Sequence, residues 1–181
     1  MHGFQFLLLN PRSLPHSHVE LFNRVYNLYL QQKSPATQWP GDQVSVLLYG
    51  DKILGFQVFE YLDLRLKHVW NQSLHDLAPI DLADLRQSHA HLLMRVKTYS
   101  GESIAQTELQ GLHSSEILNA LALRLMDDSK ADLAYLSESF EQTQLHAKDR
   151  HRQFKNFALN SWVDQLWPLS DYKPAKLHSV Q

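Results

Sequence analysis

The sequence predicts an α/β fold in which helices flank a central sheet. Apolar runs typical of buried strands recur along the chain. Between them lie stretches whose apolar residues recur every three or four positions, which is the spacing of one helical face. The chain has 181 residues, 44% of them hydrophobic, and this length suits one domain with one core. We therefore expect a single domain over residues 1–167, followed by a polar tail at 168–181.

The first half of the chain predicts three strands and one helix. Residues 3–10 form an apolar run that ends at Asn-Pro and suits a strand buried on both faces. A helix follows, because Ser17 to Glu20 has the form of a capping box. Its apolar stripe consists of Val19, Phe22, Tyr26 and Tyr29. Residues 44–49 and 53–61 predict a hairpin around a short connector, and residues 63–79 show no clear pattern.

The second half alternates between the two patterns. A helix is expected over 81–90, followed by one bent strand or by two strands, at 92–99 and 103–109. The serines of the turn at 110–115 are placed to cap a helix over 116–126. Residues 131–136 then predict a short strand. A second capping box, Ser139 to Gln142, predicts a long helix toward Leu159 or beyond.

Composition and charge exclude several classes of function. No G-x-G segment occurs, which excludes the Walker A loop and the dinucleotide fingerprint in their usual forms. The absence of cysteine removes disulfides, iron–sulfur clusters and cysteine-ligated zinc. The formal charge is −2, with acids and bases interspersed, so no basic face for nucleic acid is expected. Apolar runs are too short for a membrane span, and a cytoplasmic location is expected by default.

The order of predicted elements and one short motif resemble a known family. The run Ile104 to Gly111 leads through a turn into the predicted helix that begins near Ser115. The elements follow as strand, helix, hairpin, excursion, strand, glutamine–glycine turn, helix, strand and helix. This order is similar to that of the GNAT superfamily of N-acetyltransferases. The resemblance implies an acetyltransferase-like mixed central sheet, splayed between the fourth and fifth strands.

The resemblance also implies acyl-coenzyme A as a co-substrate. In such a fold the coenzyme pyrophosphate binds at a helix N-terminus, where backbone amides and the helix dipole favour an anion. The residues at that place are Gln110, Gly111, His113, Ser114 and Ser115. His113 and Ser115 stand where the family has small residues, and the histidine either obstructs the pyrophosphate or contacts it as a cation. The alternative is a glycine-containing turn with a serine cap and no ligand.

The implied reaction moves an acyl group to an amine, from coenzyme A or from an acyl carrier. Glu60 and Glu108, near the ends of predicted strands, are the carboxylates expected to accept the amine proton directly or through water. The alternative for each is a solvent-facing charge. Tyr135 is the candidate acid for the leaving thiolate. The family's usual tyrosine lies on the next helix, where this sequence has Phe140, Phe154 and Phe157.

Two further patterns suggest binding. His16-x-His18 and His89-x-His91 raise the question of a metal, but residues two apart on a helix point in different directions, and no metal site is expected. Trp162, Leu166 and Trp167 belong to an apolar patch that predicts a dimer or partner surface. A second function class therefore stays open, namely an α/β binding or assembly module without catalysis that acts through protein–protein contacts.

Overall fold

A computed structural model describes residues 3–32, 39–102, 104, 107–137, 143–147 and 157–166. In these ranges the strands are β1 (Phe4–Leu9), β2 (Gln43–Tyr49), β3 (Lys52–Asp63), β4 (Leu92–Ser100), β5 (Leu133–Ser137) and β6 (Thr143–Ala147). The helices are α1 (Val19–Gln32), α2 (Pro79–Gln87), α3 (Ser114–Asp128) and α4 (Phe157–Leu166). The predicted α/β class is confirmed, with helices flanking a mixed sheet.

The six strands form one sheet in the order β1-β2-β3-β4-β5-β6. Every neighbouring pair is antiparallel except β4–β5, which is parallel. Because parallel strands need a crossover connection, the chain between them folds back as α3. The last described β4–β5 rung joins Lys97 to Ser137, and β4 continues to Ser100 beside β3.

The sheet has two covered faces, because side chains alternate along each strand. On the α3 face, α3 and α4 pack on Leu47, Phe59 and Val96. On the opposite face, the α1 face, α1 packs on Val46, Phe56 and Tyr99. Residues 64–91, here called the brace segment, cover the rest of the α1 face over β4 and β5. The brace segment contains a π-helical turn, Val69–Ser73, and α2.

In the second half, one of two alternatives is not seen and one element prediction is wrong. Of the two alternatives for residues 92–109, a second strand over 103–109 is not seen in its described residues, because β4 ends at Ser100 and residues 107–110 form a turn. The chain after β5 does not enter a long helix, because Thr143–Ala147 pairs with β5 as β6. Pairing satisfies backbone groups of β5 that would otherwise lie at a sheet edge. The second capping box, Ser139 to Gln142, lies outside the described residues, as do Phe140 and Phe154.

The start of α3 also differs from the prediction. The residue before the helix is His113, rather than one of the serines. Glu116 explains the difference, since its carboxylate accepts a hydrogen bond from the His113 backbone N–H at 2.7 Å. Ser114 and Ser115 are the first two helical residues.

Among its described residues, the C-terminal patch is not the exposed surface that the sequence suggested. Trp162 is only 1% exposed and lies in the core of the α3 face. Its ring meets that of Phe4 edge-on, with 4.4 Å between centroids. Leu166 is half-buried against the same core, and Trp167 and residues 168–181 lie outside the described part of the chain. Trp162 therefore joins α4 to β1 within one chain and does not present its ring to a partner.

Candidate functional site

A polar row crosses three neighbouring strands on the α1 face. Glu60 of β3 is the direct backbone partner of Arg95 of β4, and Arg95 is the direct partner of Tyr135 of β5. Partners in neighbouring strands project to the same face. The register therefore brings together Glu60 and Tyr135, two of the predicted catalytic residues, with an arginine between them.

The polar row lies at the seam between the two covers of the α1 face. The α1 side packs on Val58 and Tyr99, farther along the same strands. The brace segment packs on Leu93 and Leu133 in the other direction. The row thus falls where one apolar cover ends and the other begins, which explains how charged side chains reach this face.

Four charged residues form the charged cluster: Glu60, Asp76, Arg95 and Lys97. Arg95 Nε lies 3.1 Å from Glu60 Oε2. Arg95 Nη1 and Nη2 donate to the two carboxylate oxygens of Asp76 at 3.0 and 3.1 Å. Nη1 also donates to the backbone oxygen of Ser73. Lys97 Nζ lies 3.9 Å from Asp76 Oδ2. Two carboxylates and two cations therefore balance each other.

Burial sets the protonation behaviour of Glu60. Desolvation raises the pKa of its carboxyl above the ordinary value, although Arg95 and Lys97 act in the opposite direction. A carboxyl with a raised pKa accepts a proton more readily than an exposed one, which suits a general base.

Two tyrosines of the α1 side, Tyr29 and Tyr99, lie near enough to Glu60 for its charge to affect their pKa values. Burial raises the pKa of Tyr99 and of Tyr29, and Glu60 contributes to both shifts. Their rings meet edge-on at 5.4 Å. Both phenols therefore stay protonated at neutral pH.

Tyr135 is buried, and its hydroxyl donates to Asp81 Oδ2 of α2 at 3.2 Å. The brace segment is thus held by two members of the polar row, Arg95 through Asp76 and Tyr135 through Asp81. A role for Tyr135 as an acid requires that its hydroxyl leave Asp81.

The five predicted cofactor residues lie together at the start of α3. Gln110 and Gly111 both have left-handed backbone conformations, with φ of +55° and +80°. They turn the chain from Leu109 to Leu112, both of which are buried in the core of the α3 face. The turn is therefore fixed at both ends. It leads into the start of α3, where the Glu116 carboxylate accepts a hydrogen bond from the His113 backbone N–H.

Glu108 does not join Glu60. It is exposed in the turn at 107–110, eight residues beyond the end of β4, and Leu109 anchors that turn on the α3 face. Glu60 lies on the opposite face, within the charged cluster. The structure therefore brings one of the two candidate carboxylates to the polar row and leaves the other apart.

The part of β4 beyond its last described rung with β5 is tied to α3 by a buried polar network. Gln57 Nε2 donates to Thr98 Oγ1 at 3.0 Å and to Asn119 Oδ1 of α3 at 2.9 Å. The Thr98 hydroxyl donates to the same Asn119 oxygen at 3.1 Å. Ser45 Oγ is 3.4 Å from Gln57 Oε1. These contacts fix the spacing between β4 and α3 next to the β4–β5 pair.

Sequence reasoning missed Arg95, Lys97 and Asp76. A signal for the first two is present, because Arg95 and Lys97 alternate with the apolar Met94 and Val96 inside a strand. Such alternation places two cations on the same face of the sheet. Nothing comparable marks Asp76, which lies in the brace segment between the π-helical turn and α2.

Two other kinds of site are absent from the described ranges. No group of three or more His, Asp or Glu side chains there is placed to hold a metal ion. His16 and His18 lie in a single 3₁₀ turn, and His89 and His91 precede β4. No helix in the described ranges is both long and apolar enough to cross a membrane.

Comparison with known proteins gives no relative for this chain. No protein-family model, curated protein or solved structure matches it. The charged cluster, the polar row and the start of α3 are therefore the features from which a function has to be inferred.

Proposed function

We propose that the protein is an acyltransferase with a GNAT-like fold, which moves an acyl group from coenzyme A or an acyl carrier to an amine. The parallel β4–β5 pair carries the proposal. It is the one parallel pair of the described sheet, α3 forms its crossover, and β4 continues to Ser100 beyond the last described rung at Lys97. A sheet that opens between its fourth and fifth strands is what the family resemblance implies.

The reaction assigns a role to each group near that opening. The amine nitrogen attacks the thioester carbonyl, and the carbon–sulfur bond breaks as the amide forms. Glu60 takes the proton of the amine, directly or through water. A backbone N–H at the end of β4 polarises the carbonyl as its oxygen gains charge. Tyr135 is the candidate that returns a proton to the thiolate.

The start of α3 is the place proposed for the coenzyme pyrophosphate. The helix dipole and the tight turn at Gln110 and Gly111 favour an anion there. Glu116 opposes it, because its carboxylate already accepts from the His113 amide. The fit is therefore partial, and binding of the donor is the first property to measure.

Thermal denaturation of the full chain with acetyl-coenzyme A, longer acyl-coenzyme A and free coenzyme A tests donor binding. A ligand at 100 times its Kd adds about 2.7 kcal/mol to stability. Release of free thiol in the presence of an amine panel tests transfer. We expect Glu60→Gln to lower the rate by about 10²–10⁴, and the exposed α1 residue Glu20→Gln to leave it unchanged. No shift and no thiol with any donor would reject the proposal.

Glu108→Gln separates the two candidate carboxylates. If Glu60 is the base, this substitution lowers the rate little, because Glu108 lies on the other side of the sheet. A loss with Glu108→Gln equal to that of Glu60→Gln would assign the proton transfer to the turn before α3.

One observation favours the second function class, a binding or assembly module. The side chains of the polar row are already paired, Arg95 with Glu60 and Asp76, and Tyr135 with Asp81. A row that only braces the fold has this form. An intact fold without donor binding would favour the module, and light scattering after size exclusion would then test for a second copy as its partner.

A further inference from the structure

We infer that Arg95 and Lys97 form a binding site for a small carboxylate, which the side chain of Asp76 fills when no ligand is bound. The contact has the geometry by which proteins recognise free carboxylates. Two guanidinium nitrogens of Arg95 meet the two oxygens of Asp76 in parallel, at 3.0 and 3.1 Å. Lys97 Nζ adds a second positive charge, 3.9 Å from one of these oxygens.

The two sides of this contact are built differently. The cations project from the central strand β4, and the Arg95 side chain is only 8% exposed. The anion comes from the brace segment, between the π-helical turn and α2, and the Asp76 side chain is 44% exposed. The recognition surface is therefore rigid and deep, whereas its occupant reaches it from the solvent side.

Release of Asp76 requires no unpacking of the brace segment. Leu74 and Leu77, on either side of it, are buried and hold the backbone in place. Rotation about the side-chain bonds of Asp76 is enough to open the contact. The cost is the loss of the Asp76 ion pairs, which an entering carboxylate replaces with pairs of the same kind.

Arg95 keeps its orientation after Asp76 leaves. Its Nε stays against Glu60 at 3.1 Å, and Nη1 stays bound to the backbone oxygen of Ser73. The guanidinium edge is thus preorganised for a ligand, which lowers the entropic cost of binding.

The carboxylate site also limits which amines can serve as the acceptor in the proposed acyl transfer. Glu60, the proposed base, contacts Nε of the same guanidinium whose Nη1 and Nη2 contact Asp76. A carboxylate on Arg95 and Lys97 would place an amine a few bonds away near Glu60. The acceptor class is therefore an amine that also carries a carboxylate, such as an amino acid, and this extension rests on the proposed function.

Carboxylate binding is measured without any acyl donor, so its outcome is independent of the transfer reaction. The probe is succinate, with the neutral succinamide as its matched control, titrated into the full chain and followed by the NMR signal of the Arg95 Nε–H. We expect Asp76→Asn to bind succinate at least tenfold more tightly than the wild type, because the internal competitor has lost its charge. Asp81→Asn changes a carboxylate of the same segment that contacts Tyr135 instead, and should bind like the wild type.

A further substitution, Lys97→Gln in the Asp76→Asn chain, should weaken succinate binding again. Circular dichroism checks that each variant is folded, and Asp76→Ser replaces Asp76→Asn if the latter is not. Succinate binding that is equal in the wild type and in the folded Asp76 variant would overturn the inference. Binding of succinamide as tight as that of succinate would overturn it as well.

Discussion

Glu60 and Arg95 are direct backbone partners across the β3–β4 pair, and their charged ends meet at 3.1 Å. Because the two residues are directly paired, neither side chain has to extend along its strand to make this contact. Both are largely removed from solvent, with side chains 21% and 8% exposed. The pair is therefore a partly buried one, in which losing a single partner leaves a charge without compensation.

Replacing Arg95 should cost much more stability than replacing Glu60. Arg95→Met removes the cation that faces both Glu60 and Asp76, and breaking a buried pair in this way costs about 3–5 kcal/mol. In urea denaturation the double variant Arg95→Met with Glu60→Gln should recover part of this loss. Strict additivity would mean that the two residues do not interact. Arg65→Met, in an exposed pair with Asp63, should change the free energy of unfolding little.

The pH dependence of stability should report Glu60. Its pKa is raised in the folded state, so the folded chain holds this proton to a higher pH than the unfolded chain does. The associated stability is complete below the ordinary pKa of about 4.5 and is lost as the pH rises through the raised value. Relative to Glu60→Gln, the wild type should lose stability upward from about pH 4.5, as measured by urea denaturation at each pH. Parallel pH profiles of the two proteins would show that the carboxyl is not perturbed.

The buried network at the end of β4 should be sensitive to Gln57. Gln57→Leu keeps a similar volume but leaves the Ser45 and Thr98 hydroxyls with fewer partners. An unsatisfied buried polar group costs about 1–3 kcal/mol, and we expect a loss in this range by denaturant unfolding. Gln5→Leu is the matched control, because Gln5 is exposed on β1 and such substitutions stay within about 0.5 kcal/mol. Equal effects at the two positions would argue against the network.

Two glycines should respond differently to alanine. At Gly101 a Cβ would lie 2.1 Å from the Ile53 carbonyl oxygen and 2.7 Å from the Gly55 nitrogen, so β3 and β4 would have to separate. At Gly50 the backbone is left-handed, with φ of +56°, but no atom lies within 4 Å of the added carbon. We expect Gly50→Ala to cost about 1–2 kcal/mol and Gly101→Ala to cost more. Thermal melting of both variants checks which substitution costs more stability. A larger loss with Gly50→Ala than with Gly101→Ala would contradict the close contact between residue 101 and β3.

If the pyrophosphate binds at the start of α3, Glu116 should limit the affinity. Glu116→Gln removes a negative charge while its side-chain amide oxygen can still accept from the His113 N–H. We expect about a two- to fivefold lower Kd for acyl-coenzyme A, the size of a charge effect at a helix end. Calorimetric titration measures the Kd, and Glu20→Gln controls for the change in net charge. An unchanged Kd would place the phosphates elsewhere.

The local sequence pattern predicts the strands whose own residues form clear apolar runs. It fails where pairing with another part of the chain decides the secondary structure. β2 and β3 were predicted within two residues, because 44–49 and 53–61 are apolar runs around a short turn. Thr143–Ala147 contains residues compatible with a helix, and only its pairing with β5 makes it a strand. In one of the two alternatives for this region, residues 107–109 end a second strand, but in the structure Leu109 and Leu112 are buried beside α3.

The sequence predicts only part of the candidate site, because contacts between distant parts of the chain decide the rest. Glu60 and Tyr135 were identified from their strands, and the register brings both to Arg95. The partners that define their chemistry, Asp76 and Asp81, come from the brace segment, whose sequence shows no periodic pattern at Asp76. Which carboxylate meets Arg95 depends on how that segment folds over β4, and a single sequence contains no signal for it.

The single parallel pair also bears on the order in which the domain assembles. β2 and β3, and likewise β5 and β6, are joined by short connections, so each of these pairs can form over a short distance in sequence, whereas β3 and β4 are separated by the brace segment. β4 and β5 meet only after residues 101–132 have folded back, and closing that loop costs chain entropy before any rung forms. We expect the rungs from Leu93–Leu133 to Lys97–Ser137 to form late. The row from Glu60 through Arg95 to Tyr135, which spans this junction, is then complete only when the whole domain has folded.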